Sequence, residues 1–284
     1  VISAYRKEKI AKLGLWVSGL VVLAVLVGII AFVVIRGIGV INLNFIFTMP
    51  IRAGQEGGIL PMIVGTLCII VISTIVATPI AVASGIYLTE YAGNHPLSRV
   101  ITFGADWLAG VPSIVFGLFG FALFVVYLGW DLSILSGGMV LACMILNETI
   151  RTSQEAIKAV PASYREASYA LGATKWQTVS RVVLKSAAPG ILTGVILGIG
   201  RAAGETAAIM LTAGSFMMAL PTSLFDSVRP MSLHVYILAM EGIHPGAIAR
   251  AFGTATLLIL VVLMTNLSSR AIMSYYTRTL RQER

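Results

Sequence analysis

Residues 198 to 210 read GIGRAAGETAAIM, placing Arg201 and Glu205 four positions apart inside an otherwise apolar stretch. A charge at the centre of a membrane-spanning helix costs ~2.5 to 3.5 kcal/mol on insertion scales, so both side chains must face protein or water. The Arg guanidinium is a planar fork of N–H donors that keeps its charge and suits an oxyanion. The Glu carboxylate repels an anion but can accept a proton-bearing oxygen. On a helical wheel, Gly194, Leu197, Gly198, Gly204, Ala208, Thr212 and Glu205 fall within about 60° of Arg201. Leu192, Val195, Ile196, Ile199 and Met210 take the opposite face. Small residues beside the charges permit close helix approach or leave a hydrated opening. Counting ~1.5 Å per residue from Ala188, Arg201 lies roughly 20 Å into a ~30 Å hydrocarbon core, the depth at which a gate or solute site belongs. Three roles are open for Glu205. It can hold Arg201 in a weakly oriented i,i+4 pair that a solute displaces, accept a solute proton, or form a static ion pair that only fixes packing.

The elements that must position these charges follow from composition. The chain is 57% hydrophobic and 11% charged, too few charges to cover a water-soluble globule. Apolar runs near 13–35, 59–88, 102–128, 133–150, 188–214 and 250–273 are long enough to span a bilayer. The expected fold class is all-α, a polytopic membrane protein with six transmembrane helices; a barrel would show short alternating segments instead. The first run is expected to be an uncleaved anchor. Lys and Arg crowd the N-terminus, the 151–187 segment and the C-terminus, so all three are expected to be cytoplasmic, and the net charge of +8 needs no nucleic acid partner. The expected organisation is a tail 1–12, a membrane domain 13–273 and a tail 274–284. Cys68 and Cys143 lie in apolar runs and read as packed thiols.

Several local expectations accompany this layout. Pro112 should kink the third span, with Gly110, Gly117 and Gly120 marking a close-packed surface. The fourth span ends in NETIRTSQEA, placing Asn147, Glu148 and Arg151 near the cytoplasmic interface. There Arg151 snorkels, and Glu148 pairs with it at i,i+3 or lines an inward mouth. Pro50, Pro221, Pro230 and Pro245 favour turns or short interfacial helices in 37–58 and 215–249. His95, His234 and His244 fall in connecting segments without the H-E-x-x-H spacing of a zinc protease.

The cytoplasmic segment reads AVPASYREASYALGATKWQTVSRVVLKSAAPG over 159–190. Ser163 with Glu166 has the spacing of a capping box and predicts a helix start; Gly172 predicts its end. Thr174 with Gln177 repeats the box and predicts a second helix running toward Pro189, where the fifth span should begin. Two short helices about a glycine elbow, carrying Ala167, Ala170 and Leu171, make an apolar knob for a partner's groove. An ordinary loop lying on the membrane surface is the other reading.

The run from Glu166 to Leu184 resembles the EAA loop of importer-type ABC transporter permeases: Glu166, Ala167, Ser168, then Gly172, then Val182, Val183 and Leu184. Ser168 and Val182 depart mildly from that pattern, and Lys185 replaces its closing proline. The stretches GGILPMIVGT, GVPSIVFGLFG, IRTSQEAIKAVP, LGATKWQTVSRVVL and GRAAGETAAIMLTAG further resemble the phosphate permeases PstA and PstC, and RTSQEA with GETA leans toward PstA.

The resemblance implies a MetI-like permease fold whose 159–187 loop couples to an ATPase through Glu166, Ala167, Ser168, Gly172, Val182 and Leu184. Implied partners are a sister permease, a cytoplasmic ATPase dimer and an extracytoplasmic phosphate-binding protein. No cofactor would sit on this chain, ATP and Mg²⁺ belonging to the ATPase; it carries no G-x-x-x-x-G-K-[ST] loop. The implied cargo is inorganic phosphate, with Arg201, Glu205, Glu148 and Ser113 as candidates along the path. Another oxyanion or small solute, or a stand-alone channel or proton-coupled carrier, is the alternative.

Overall fold

The computed structural model describes residues 4–93, 96–214, 218–242 and 246–282, so His95, His244 and Pro245 lie outside the described residues. Among the described residues the α-helices are α1 (Ala4–Gly37), α2 (Leu43–Phe47), α3 (Leu60–Ile86), α4 (Pro96–Ala109), α5 (Ser113–Gly120), α6 (Ile134–Lys158), α7 (Ala162–Ala170), α8 (Lys175–Thr178), α9 (Leu184–Gly204), α10 (Ala207–Thr212), α11 (Met231–Glu241) and α12 (Ala247–Gln282). A two-residue hairpin, β1 (Pro50–Ile51) against β2 (Glu56–Gly57), is antiparallel with Pro50 opposite Gly57. Among the described residues, five helical stretches are long and apolar enough to cross a membrane: Glu8–Val40, Leu60–Tyr91, Ile134–Lys158, Lys175–Gly204 and Ala247–Ser268. A shorter apolar helix covers Ser113–Tyr127.

That shorter helix is half of the third expected span, which is broken and not merely kinked. α4 stops at Ala109, and Pro112, with φ −59° and ψ 143°, leads into α5. Proline lacks the N–H a continuing helix needs and disfavours the helical region for Val111 before it. Gly117 and Gly120 do mark a close-packed surface, since a Cβ on Gly117 would lie 2.9 Å from Ala208 Cα and one on Gly120 would overlap Val140. Gly110 does not, having only its own Trp107 carbonyl, 3.6 Å away.

α6 is the central helix. It continues to Lys158, well past the boundary at 150 read from hydropathy, because Ile150, Ser153 and Ile157 are buried by α3 and α9. Ser133 caps its first turn by accepting from the Ser136 N–H at 3.1 Å. The Ser133, Ile134 and Leu135 N–H groups donate to the carbonyls of Thr212, Asp226 and Leu224. The donors of the helix start are thus satisfied by the end of α10 and the chain that follows it. Glycine brings α3 onto α6, with Gly138 against Ile72 and Gly85 against Ser153. The core around them holds Ile69, Ala77, Val140, Leu141, Ile145, Ala208 and Ile209.

α1 stands apart from the bundle except at its end. There Phe32 packs edge-on to Phe252 at 5.7 Å, and the Arg36 guanidinium covers the Phe32 ring at 4.5 Å. The segments expected to form turns or short interfacial helices include α11, whose first turns are buried, with Met231, Leu233 and His234 at or below 2% exposure, while Tyr236 and Met240 toward its end are exposed. His234 therefore belongs to a packed helix and not to a connecting segment. The Met231 N–H donates to Thr66 Oγ1 of α3 at 2.9 Å, which seats the start of α11 inside the bundle.

Candidate functional site

The register of α9 against α6 is set by small residues spaced four apart. A Cβ on Gly190 would lie 2.6 Å from Ala156 Cβ, one on Gly194 2.6 Å from Thr152 Cβ, and one on Gly198 3.4 Å from Thr149 Oγ1. The helices are thus antiparallel and nearly in backbone contact, as small-residue faces permit. Carried one turn further, this register brings Arg201 to Glu148, whose Oε2 accepts from Arg201 Nη1 at 3.3 Å. Glu148 sits in the middle of α6, ~21 Å from Ile134 and ~15 Å from Lys158 by helical rise. Thr152 Oγ1 donates to the Glu148 carbonyl at 3.0 Å, so the glycine contact and the carboxylate share one helical turn.

The partner of Arg201 is therefore Glu148 and not Glu205. α9 ends at Gly204, and Glu205 has left the helix, with φ −71° and ψ 135°. The wheel that put Glu205, Ala208 and Thr212 beside Arg201 does not reach them, because the helix has already ended at Gly204. Ala208 and Thr212 are fully buried in α10, against α5. The Glu205 carbonyl, freed by the break, accepts from Ser232 Oγ on α11 at 2.7 Å. Such a buried acceptor must find a donor, and a residue far along the chain supplies it. Ser113 opens α5 directly after Pro112 and shares no hydrogen bond with Arg201, Glu148 or Glu205 among the described residues.

The Arg201 and Glu148 side chains are 48% and 37% exposed, so the pair opens onto a face of the bundle. One contact of 3.3 Å between half-exposed groups is worth ~0 to 1 kcal/mol. A ligand offering charge-assisted hydrogen bonds, each worth ~1.5 to 3 kcal/mol, would outcompete it.

The elbow of α7 and α8 forms as the glycine predicts. Gly172 has φ +81°, and the Gly172 and Ala173 N–H groups donate to the Tyr169 and Ser168 carbonyls at 2.9 and 3.2 Å. This is the Schellman closure of a helix by a left-handed glycine. The second capping box is present, Gln177 N–H donating to Thr174 Oγ1 at 3.3 Å and Thr174 N–H to Gln177 Oε1 at 2.8 Å. The first is not, because Pro161 takes the N-cap position with φ −56° and ψ 140°, leaving Ser163 inside the first turn. Nor does the chain restart at Pro189: α8 runs through a π-helical turn, Val179–Val183, directly into α9.

Glu166, Ala167 and Gly172 are exposed on the elbow, as are Leu171 at 89% and Trp176 at 64%. Ser168 turns inward, its hydroxyl 2.9 Å from Thr178 Oγ1, and so fastens α7 to α8. Val182 and Leu184 are half-buried, and Leu184 packs against Ile157, Val160, Val183 and Ala187. Leu184 thus helps hold the elbow to α6. Sequence reading missed Arg165, which binds Glu90 at 2.6 Å, and Lys175, whose ammonium lies 4.8 Å from the Tyr91 ring. No local pattern announces contacts between residues so far apart along the chain.

The arrangement places a half-exposed charge pair within a bundle of helices long and apolar enough to cross a membrane, and an exposed elbow between the end of α6 and the start of α9. Residues 77–282 match the family described as binding-protein-dependent transport system inner membrane component. The chain is 34% identical over 277 residues to the phosphate transport system permease protein PstA of Mycobacterium leprae (strain TN), spanning 96% of this chain and 90% of that protein. It is 33% identical over 262 residues to the probable ABC transporter permease protein YqgI of Bacillus subtilis (strain 168), spanning 88% and 89%. A chain of a bacterial alginate ABC transporter solved with a periplasmic protein bound to alginate pentasaccharide shares the fold. Its TM-score is 0.64 over 94% of this chain and 96% of that one, at 14% identity. The chain belongs to the binding-protein-dependent transport system inner membrane component family, as a PstA-type ABC permease.

Proposed function

We propose that this chain is a membrane-spanning subunit of an ATP-driven importer of inorganic phosphate, forming the path with a sister permease. The observation that carries this reading is the continuity of the elbow with the charged helices. α7 follows α6, which holds Glu148, and α8 runs without a break into α9, which holds Arg201. A cytoplasmic ATPase pair would grip the exposed Leu171 and Trp176 and supply the ATP and Mg²⁺ chemistry, this chain binding no cofactor. An extracytoplasmic phosphate-binding protein would deliver cargo to the opposite face, with both termini and the elbow on the cytoplasmic side. The cargo is carried over from the PstA relatives.

In this mechanism Arg201 is the phosphate ligand and Glu148 its counter-charge when the path is empty. Phosphate offers the guanidinium two charge-assisted bonds in place of one weak contact, so the carboxylate is displaced. Closure of the ATPase pair would shift the elbow, and α6 and α9 would move with it as rigid elements. The chain cannot slide at Gly190, Gly194 and Gly198 without disturbing the Arg201–Glu148 register, which links motion to affinity.

The test is co-purification of the tagged chain with its ATPase, followed by uptake of radiolabelled phosphate into vesicles loaded with ATP. ATP-dependent uptake that excess phosphate competes and sulfate does not supports the assignment. Uptake competed equally by sulfate or molybdate would make the cargo a different oxyanion. ATP-independent uptake by the chain alone would make it a carrier or channel.

A further inference from the structure

Arg165 uses its whole guanidinium to join three elements. Nε and Nη2 both donate to Glu90 Oε1, at 3.1 and 2.6 Å. Nη1 donates to the Val160 carbonyl at 2.8 Å and Nη2 to the Ile157 carbonyl at 3.0 Å. Those carbonyls belong to the end of α6 and the corner beyond it, where the Ile157 carbonyl also accepts from the Val160 N–H at 3.3 Å and the guanidinium supplies the further donors. Glu90 lies in a π-helical turn, Tyr87–Tyr91, that closes α3. Arg165 on α7 therefore ties α6 to α3 through itself.

The second elbow helix reaches the same turn of α3. Lys175, the first residue of α8, places its ammonium over the Tyr91 ring. With Ser168 bonded to Thr178, the two elbow helices, the end of α6 and the end of α3 are fastened at four points. The Glu90 side chain is 8% exposed and that of Arg165 20%, so this pair is largely out of water, unlike Arg201 with Glu148. A neutral replacement of either partner leaves the other charge uncompensated. Both attachments to α3 land on a π-helical turn, and a second π-helical turn, Val179–Val183, joins α8 to α9. Turns of this kind are rare and recur at functional sites.

We infer that the Glu90–Arg165 pair is a positioning contact that makes α3 a third arm of the elbow, alongside α6 and α9. Displacing the elbow then pulls on the end of a helix that shares no loop with it. Because α3 packs along α6 through Gly138 and Gly85, its movement keeps Glu148 in step with Arg201 during the stroke. This rests on the reading of the chain as an ATP-driven permease, and it assigns Glu90 and Arg165 to coupling and not to cargo binding.

The experiment uses the assembled transporter in vesicles and reads two rates, ATP hydrolysed and radiolabelled phosphate taken up. Glu90→Gln should assemble with the ATPase and still hydrolyse ATP, while phosphate moved per ATP falls at least tenfold. An unchanged ratio overturns the inference. Glu90→Asp, which keeps the charge but shortens the reach, repeats the reading in case Glu90→Gln does not assemble: a lowered ratio supports the contact and a wild-type ratio removes it. The Glu90→Gln, Arg165→Gln double variant should be no worse than Arg165→Gln alone, whereas multiplied losses would show two independent roles. Failure of the underlying functional reading looks different, since the unmodified chain would then neither bind an ATPase nor take up phosphate.

Discussion

Replacing Gly194 by Ala tests the claim that glycine sets the register of the charged helices. The added Cβ would overlap Thr152 Oγ1 and lie 2.6 Å from Thr152 Cβ. Turning the threonine cannot relieve this, because its Cβ moves only with the backbone and its hydroxyl is held by the Glu148 and Thr149 carbonyls at 3.0 and 3.2 Å. Ordinary carbon contact begins at ~3.5 Å, so α6 and α9 must separate by about 1 Å. Overpacking of this kind costs ~1 to 3 kcal/mol. Gly→Ala in a helix also brings a gain of ~1 kcal/mol from propensity. Gly104 on α4, with nothing within 4 Å of its would-be Cβ, supplies a control carrying that gain alone. Gly194→Ala should therefore be ~1 to 3 kcal/mol less stable than Gly104→Ala. At ~2 to 4 °C per kcal/mol for a chain approaching this length, thermal unfolding in detergent resolves the difference. The same separation carries the 3.3 Å Arg201–Glu148 contact beyond ion-pair range. Thr152→Gly introduced alongside should recover most of the loss. Gly194→Ala melting level with or above Gly104→Ala would refute the packing argument.

Two further outcomes follow from single residues. Gly172→Ala forces a side chain into a left-handed conformation at a cost of ~1 to 2 kcal/mol, so the Gly172 and Ala173 amides should exchange with deuterium faster while those of α6 stay protected; equal exchange would mean the closure is dispensable. Burial, then the charges of Arg229 and Arg250, lowers the His234 pKa from 6.5 to about 3. Above pH 6.5 the histidine is neutral whether folded or unfolded and has no effect on the balance; as the pH falls toward 3 the unfolded chain takes up the proton first. Stability should thus drop toward acid by up to ~1.4 kcal/mol per pH unit over that window, and His234→Phe should flatten the drop in acid-unfolding curves. Superimposable curves would exclude His234 as the source.

The long apolar helices and the glycine elbow were legible because their signals are local: hydropathy over a span, a left-handed turn at Gly172, a box at Thr174 and Gln177. The charge partners were not. Glu148 and Arg201 are 53 residues apart, and Glu90 and Arg165 are 75 apart. The glycines at 190, 194 and 198 carried the missing information, since they fix which face of α9 meets α6, but their opposite numbers Ala156, Thr152 and Thr149 are known only from the packing. The helix break at Glu205 had no local signal stronger than Gly204. It is stabilised by Ser232 from a later helix, so a wheel drawn through 212 was bound to misplace Glu205. Pro112 announced a disturbance whose size, a full break, depended on α5 packing through Gly117 and Gly120.

The most direct test is phosphate uptake by the assembled transporter carrying Arg201→Gln, beside Glu148→Gln, with ATP hydrolysis and complex yield recorded on the same vesicles. If Arg201 is the phosphate ligand, its variant assembles and hydrolyses ATP yet loses uptake by at least a hundredfold. Glu148→Gln, which removes the charge that competes for Arg201, keeps uptake and lowers the phosphate concentration giving half-maximal rate. Normal uptake by the Arg201→Gln transporter would contradict the account at its centre.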